Sequence, residues 1–195
     1  DYKYLNEAGQ KLFGVMDVSG RAGGDGCANF TDAYVDKMIE DLTPIAKELT
    51  DANLLSSAYV YGFDEQPRKC EEGVRKLFGA VKAKWPEMKT VAVLNWPGED
   101  GGEMPVDDDF PLDVWTLQYQ YHNDSASKLW VDSGREYFGY HCIEPSDPSY
   151  LNSFIEHDLI ETKLLFWYMA ARTQFTGWLY YAVDLYDTGC APNPN

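Results

Sequence analysis

The stretch Tyr59-Val60-Tyr61-Gly62-Phe63-Asp64-Glu65-Gln66-Pro67 sets two adjacent carboxylates directly after a run of strand-forming apolar residues. Burying such a pair is costly, because low dielectric disfavours each anion and each repels the other. A pair kept in that position is a candidate for general acid–base work. The plain alternative is structural: Asp64 caps the following helix and Glu65 pairs with Arg68. The catalytic reading makes a geometric demand. Neighbouring strand residues point to opposite faces, so Asp64 and Glu65 can share one pocket only if the strand ends at Phe63 or Asp64 and the chain turns there. Gly62 and Pro67 favour such an irregularity.

Other polar residues also follow apolar runs. Asn95, Gln118 and His141 are candidates to hydrogen-bond hydroxyl groups, with His141 equally readable as a satisfied core histidine. Aromatic residues make up 15% of the chain, enough to supply flat platforms as well as a core. Tyr61, Trp96, Trp115, Tyr119, Tyr140, Trp178 and Tyr181 are the candidates to meet a ligand such as a sugar ring, each with packing as the competing role. The acidic loop with Glu99, Asp100, Glu103, Asp107, Asp108 and Asp109 lacks the D-x-[DN]-x-[DN]-G spacing of a calcium loop, so it reads as solvated and no metal site is expected. The Gly-rich residues 20–29 lack G-x-x-x-x-G-K-[ST], so they are not a P-loop, and no dinucleotide fingerprint or cofactor site is found.

The elements that must position these groups follow from periodicity. Strands are expected at 12–18, 58–63, 90–94, 113–119, 136–142 and 177–183. Between them, Val35, Met38, Ile39, Leu42, Ile45, Ala46 and Leu49 recur at helical spacing over 31–50, with Pro44 expected to kink or break the helix. Val74, Leu77, Phe78 and Val81 mark a second helix that Pro86 stops. A short helix spans 125–133. The strongest pattern is 155–173, where Leu159, Ile160, Leu164, Trp167, Tyr168 and Ala171 form an apolar face. Strands alternating with helices at short spacing give an α/β chain with a parallel sheet. Polar groups at strand ends fit a (β/α) barrel, where sites are built at the carboxyl ends of strands; a doubly wound sheet would place them similarly at its switch point. A full barrel takes about 250 residues. Five or six strands therefore amount to half to two-thirds of one.

The motif resembles that of the catalytic domain of glycoside hydrolase family 123, a domain of secreted proteins. Tyr61-Gly62-Phe63-Asp64-Glu65-Gln66-Pro67 is similar to its strand motif. The likeness continues through Trp85-Pro86 with Lys89-Thr90, Leu112-Asp113-Val114-Trp115, and Tyr137 to Cys142, which resembles a "WYxC" strand end. Ile160 to Trp167 resembles an "IExRLLxW" helix, and Phe175 to Tyr181 a closing "GxLYW" strand. The order is the family's, over roughly 30–187. The resemblance implies the C-terminal part of a TIM-type barrel, flanked by an N-terminal strand and Gly-rich loop (1–29) and a tail (188–195). It implies removal of a terminal β-N-acetylhexosamine, N-acetylgalactosamine first, by retaining, substrate-assisted hydrolysis. In that chemistry the sugar's own acetamido oxygen is the nucleophile, outside the usual two-carboxylate scheme. Asp64 would polarise the acetamido N–H. Glu65 would be the acid and then the base, with burial and Asp64 raising its pKa. The sequence departs from the family at Lys163 (Arg there), Tyr181 (Trp), Asp184 (Asn) and around Tyr137 and Phe138. The competing reading is a non-catalytic extracellular carbohydrate-binding or structural relative. A third is a chain assembled with the rest of its barrel or with other chains.

Charge and cysteines bound the setting. Sixteen Lys and Arg against 32 Asp and Glu give a net charge of −16, which excludes a nucleic-acid surface and an anionic membrane surface. No segment is apolar for long enough to span a bilayer. Cys27, Cys70, Cys142 and Cys190 form no C-x-x-C pair and fit two disulfides or four buried thiols. Sequons at Asn29 and Asn123 tilt the reading to the extracellular space or the secretory lumen. The start at Asp1, with no Met and no signal-type apolar region, reads as a processed or truncated product.

Overall fold

The computed structural model describes residues 2–10, 12–19, 30–96, 104–141, 160 and 163–180. Helix α1 (Tyr2–Glu7), which the periodicity did not predict, precedes strand β1 (Phe13–Asp17). The order then runs α2 (Asp32–Asp51), β2 (Ala58–Gly62), α3 (Glu71–Lys84), β3 (Lys89–Val93), β4 (Val114–Gln118), α4 (Asp124–Asp132) and β5 (Glu136–His141). A π-helical turn (Leu164–Met169) leads into α5 (Ala170–Thr173), and β6 (Gly177–Tyr180) follows.

The six strands form one curled sheet in the order β1-β2-β3-β4-β5-β6, and every neighbouring pair is parallel. A doubly wound sheet must reverse its order at a switch point. This sheet never does, so the doubly wound alternative falls and a partial barrel remains. Among the described residues β1 and β6 each have one neighbour, so the curl is open at both ends.

Alternation divides each strand between two faces. Ala58 and Val60, Ala92, Trp115 and Leu117, and Tyr137 join one core with Met38, Leu42, Ala46 and Leu49 of α2, with Val74, Leu77, Phe78 and Val81 of α3, and with Trp130 of α4. The other face carries Tyr61, Val91, Val114, Thr116, Gln118 and Tyr140, as the register shows. Most helical apolar spacings therefore bury where expected. Thr31 caps α2, its hydroxyl accepting from the Tyr34 N–H, and Asn123 caps α4, accepting from Ser125 and Ala126. Each such cap satisfies amides that the first helical turn leaves orphaned.

Two expectations need correction. Pro44 does not break α2, which runs unbroken from Asp32 to Asp51; the proline sits on the exposed side, where the Glu40 carbonyl that loses its N–H partner is open to water. Of the apolar face expected at 155–173, the described residues 160 and 163–173 do not form a buried one, and 155–159 lie outside the described residues. Ile160, Leu164, Trp167 and Tyr168 are exposed, and the helix is π-wound over Leu164–Met169. Periodicity reports that a face is apolar, not that this chain covers it.

The half-buried ion pairs pin the strand starts. Lys82 Nζ donates to Asp113 at 2.9 Å, and Asp113 also accepts the backbone N–H of Thr90 at 2.9 Å. Arg75 clasps Asp107 with two nitrogens at 3.0 and 2.9 Å, so one carboxylate of the acidic loop serves as a structural anchor. Phe78 is fully buried and meets Phe63 edge-on at 5.4 Å. Phe78→Ala should therefore cost about 3–5 kcal/mol of folding stability, read as a lowered urea midpoint; a loss below about 1 kcal/mol would mean that this contact does not anchor the sheet.

Candidate active site

Strand β2 stops at Gly62, and the next residues turn. Phe63 and Glu65 adopt left-handed φ values of 58° and 53°. That conformation is disfavoured for non-glycine residues, by about 1–2 kcal/mol each, so surrounding contacts must hold it. The Phe63 ring is buried against Phe30, at 5.6 Å, and Phe78. Its N–H donates to Ser19 Oγ at 2.8 Å. Ser19 is in turn tied to Asp17, whose Oδ1 accepts from the Ser19 N–H at 3.1 Å and from its hydroxyl at 3.2 Å. Beyond the turn, the Glu65 N–H donates to Val93 O at 3.1 Å.

The geometric demand of the sequence is met. Tyr61 Oη donates to Asp64 Oδ1 at 2.7 Å, and Gln118 Nε2 donates to Glu65 Oε1 at 2.7 Å. Tyr61 and Gln118 both lie on the face turned away from the helical core. The left-handed turn has thus brought two sequence neighbours to one side of the sheet. Helix capping falls to Pro67 and Cys70, not to Asp64.

The remaining candidates divide by face. Asn95 and Gln118 are buried and bonded to each other: Asn95 Nδ2 donates to Gln118 Oε1 at 2.9 Å, and the Gln118 N–H donates to Asn95 Oδ1 at 3.3 Å. With its Oε1 accepting from Asn95, Gln118 has its amide NH2 left to grip Glu65. These bonds engage both amides within the sheet, and Gln118 orients Glu65. Tyr140 is buried on the same face of the sheet as Tyr61. Tyr119 opens a short turn after β4 and His141 ends β5.

Trp96, Trp115 and Trp178 are not on this face. Trp96 and Trp115 are fully buried in the helical core, their indole N–H groups donating to Gln66 O at 2.8 Å and Leu94 O at 2.7 Å. Trp178 packs on Phe175 at 5.5 Å and over Gly139, where an added Cβ would lie 2.3 Å from its ring. None of the three is placed to stack on a ligand at the carboxylates. The physical reason is alternation: Trp115 and Trp178 sit one residue out of phase with the site face. Tyr181, Asn29, Cys27, Cys142 and Cys190 lie outside the described residues. Asp17, at the end of β1, was not singled out from the sequence, although ending a strand at the level of Tyr61 was its signal.

Electrostatics follow the geometry. The Tyr61 hydroxyl is driven far above its ordinary pKa, first by burial, then by the negative charge of Asp64 and the hydrogen bond to it, with smaller contributions from Tyr140 and Asp17. Tyr61 is therefore a permanent donor to Asp64. Both carboxylate side chains are exposed, so the described residues do not supply the burial expected around Glu65.

The sequence model of the glycoside hydrolase 123 catalytic domain matches residues 24–194. Among solved structures, the chain is similar to a family 123 glycoside hydrolase from Clostridium perfringens, reported for the details of glycolipid glycan hydrolysis. The TM-score is 0.54 at 16% identity, over 76% of this chain and 25% of that one. At that identity the likeness speaks for the fold alone, and this chain spans about a quarter of the relative's length. No curated protein sequence matches the chain.

A raised tyrosine pKa has a defined consequence for stability. The folded state keeps the Tyr61 proton at a pH where the unfolded chain has lost it, so the contribution is complete below about pH 10 and is lost as pH rises further. Tyr137, raised by burial, acts the same way. Urea midpoints between about pH 8 and 11 should fall with pH, and less steeply in Tyr61→Phe. Identical slopes would place the Tyr61 hydroxyl in water.

Proposed function

The chain belongs to glycoside hydrolase family 123, and we propose that it hydrolyses a terminal β-N-acetylhexosaminide, N-acetylgalactosamine foremost, with the sugar's acetamido group as nucleophile. The observation that carries this reading is the placement of Asp64 and Glu65 on one side of the sheet, each held by its own donor. Two carboxylates so held can do different work at adjacent atoms of one sugar. Asp64, oriented through Oδ1 by Tyr61, presents Oδ2 to the acetamido N–H, which sharpens the carbonyl oxygen for attack on the anomeric carbon. Glu65 gives its proton to the glycosidic oxygen as the C–O bond breaks. Water then adds to the anomeric carbon, its proton returning to Glu65, and the acetamido group is released intact. Glu65 is exposed in the free chain, so the dry environment its acid form needs comes from the bound sugar and from whatever closes the open sheet. A glycolipid glycan is a substrate consistent with the Clostridium perfringens relative.

We place the protein outside the cell or in the secretory lumen. We read the buried Cys70 as half of a disulfide, which fits an oxidising compartment. Asn123 is exposed and caps its helix through Oδ1 alone, leaving Nδ2 to carry a glycan. No helix among the described residues is long and apolar enough to cross a membrane. We also read the open sheet as part of a TIM-type barrel whose further strands come from another segment or chain.

The exposure of both carboxylates favours one competing reading, a carbohydrate-binding relative without turnover. A chromogenic β-N-acetylgalactosaminide beside the N-acetylglucosaminide separates the two. Turnover by the wild type, with kcat falling at least about 100-fold in Glu65→Gln and also falling in Asp64→Asn, is the expected result. A folded wild type that binds the sugar and releases no chromophore leaves the binding reading in possession.

A further inference from the structure

Asp17 has no part in the chemistry above, yet it ends β1 on the site face. The register sets it directly beside Tyr61, and its charge is felt at the Tyr61 hydroxyl alongside that of Asp64. The two carboxylates therefore flank one phenol. Asp17 is exposed, and both of its described bonds, from the Ser19 N–H and hydroxyl, go to Oδ1. Oδ2 accepts from no described donor. It is thus a carboxylate oxygen of fixed orientation, on an exposed side chain at the end of β1 in register with Tyr61.

Its place in the row gives it a ligand. Glu65 is gripped from the β4 side by Gln118, Asp64 lies over β2 on Tyr61, and Asp17 lies on β1. Read across the sheet, the three acids follow one direction. In the reading proposed above, on which this step rests, Glu65 meets the oxygen at the first sugar carbon and Asp64 the nitrogen at the second. The next polar group round the ring is the hydroxyl of the third carbon, with that of the fourth beside it. A carboxylate oxygen accepts two hydroxyl protons readily, and such charge-assisted bonds are the strong kind.

We propose that Asp17 is a substrate-specificity residue whose Oδ2 accepts from the hydroxyl of the sugar carbon next to the acetamido-bearing one. Being an acceptor only, it selects hydroxyls at that edge of the ring and rejects a substituent without a proton to give, so a sugar linked or acylated there is excluded. The same residue braces Ser19, which braces Phe63, so recognition and turn geometry share one side chain.

Asp17→Asn is the informative variant, because its Oδ1 can still accept both Ser19 bonds while a donor replaces Oδ2. The expected result on the chromogenic β-N-acetylgalactosaminide is a loss in kcat/KM of about 10- to 100-fold, with the pH profile unchanged. Against the 3-deoxy analogue the variant and the wild type should be nearly equal, since the bond is already missing. Equal losses on both substrates, or a lowered Tm that accounts for the loss, would assign Asp17 a structural role and overturn the proposal. Binding of free N-acetylgalactosamine, followed by ligand-observed NMR, keeps the two levels apart. Asp17-dependent binding without any turnover would sink the hydrolytic reading and retain this one. Turnover unaffected by Asp17→Asn would do the reverse, and neither binding nor turnover would overturn both.

Discussion

The site depends on a turn that the backbone resists. Phe63 and Glu65 stand in left-handed conformations, and without them Asp64 and Glu65 would point to opposite faces of the sheet. The restraint comes from the core: a phenylalanine ring clamped edge-on between Phe30 and Phe78 cannot be withdrawn without opening a cavity. The Ser19 hydroxyl takes the Phe63 amide that no ladder partner receives. Hydrophobic burial on the helical side thus stabilises a strained backbone whose benefit appears on the other side. Strain of this sort persists only where neighbours over-determine it.

Around that turn the labour is divided by strand. β2 brings the two acids, β3 and β4 supply the amide pair that steers Glu65, and β1 contributes Asp17 with its serine brace. The Asn95–Gln118 pair is a case of a buried polar network that is satisfied on its inner side. A Gln118 amide with its oxygen committed to Asn95 presents nitrogen, and only nitrogen, to Glu65. The choice of partner therefore fixes the amide orientation, and the orientation fixes where the acid sits.

Much of this was legible in the sequence because each feature had a local signature. Alternation and helical spacing gave five of the six strands within a residue or two, and the helices α2, α3 and α4. The acidic pair stood out because charge after an apolar strand is expensive. The resemblance to family 123 rested on motifs whose order the family match supports. What failed was phase and coverage. Trp115 is in the core because it lies one residue from Thr116, which faces the other side of β4. Trp167 is exposed because an apolar stripe does not name its partner. Asn95 and Gln118 read as free polar groups, since a pairing across 23 residues leaves no trace in either local segment. Asp17 escaped because a single acid after a short strand looks like any other surface charge.

The charge of the whole chain bears on what such a site can take. With a net charge of −16 and three carboxylates where β1 and β2 end, an anionic ligand would be repelled before it arrived. A neutral ligand with protons to give would feel no such penalty. Each acid accepts from a neutral donor: Asp64 from a phenol, Glu65 from an amide and Asp17 from a serine. A neutral donor fixes the direction of a carboxylate without cancelling its charge. The pairing of Arg75 with Asp107 shows the contrast within the same chain, where two nitrogens on one carboxylate make an anchor rather than a site.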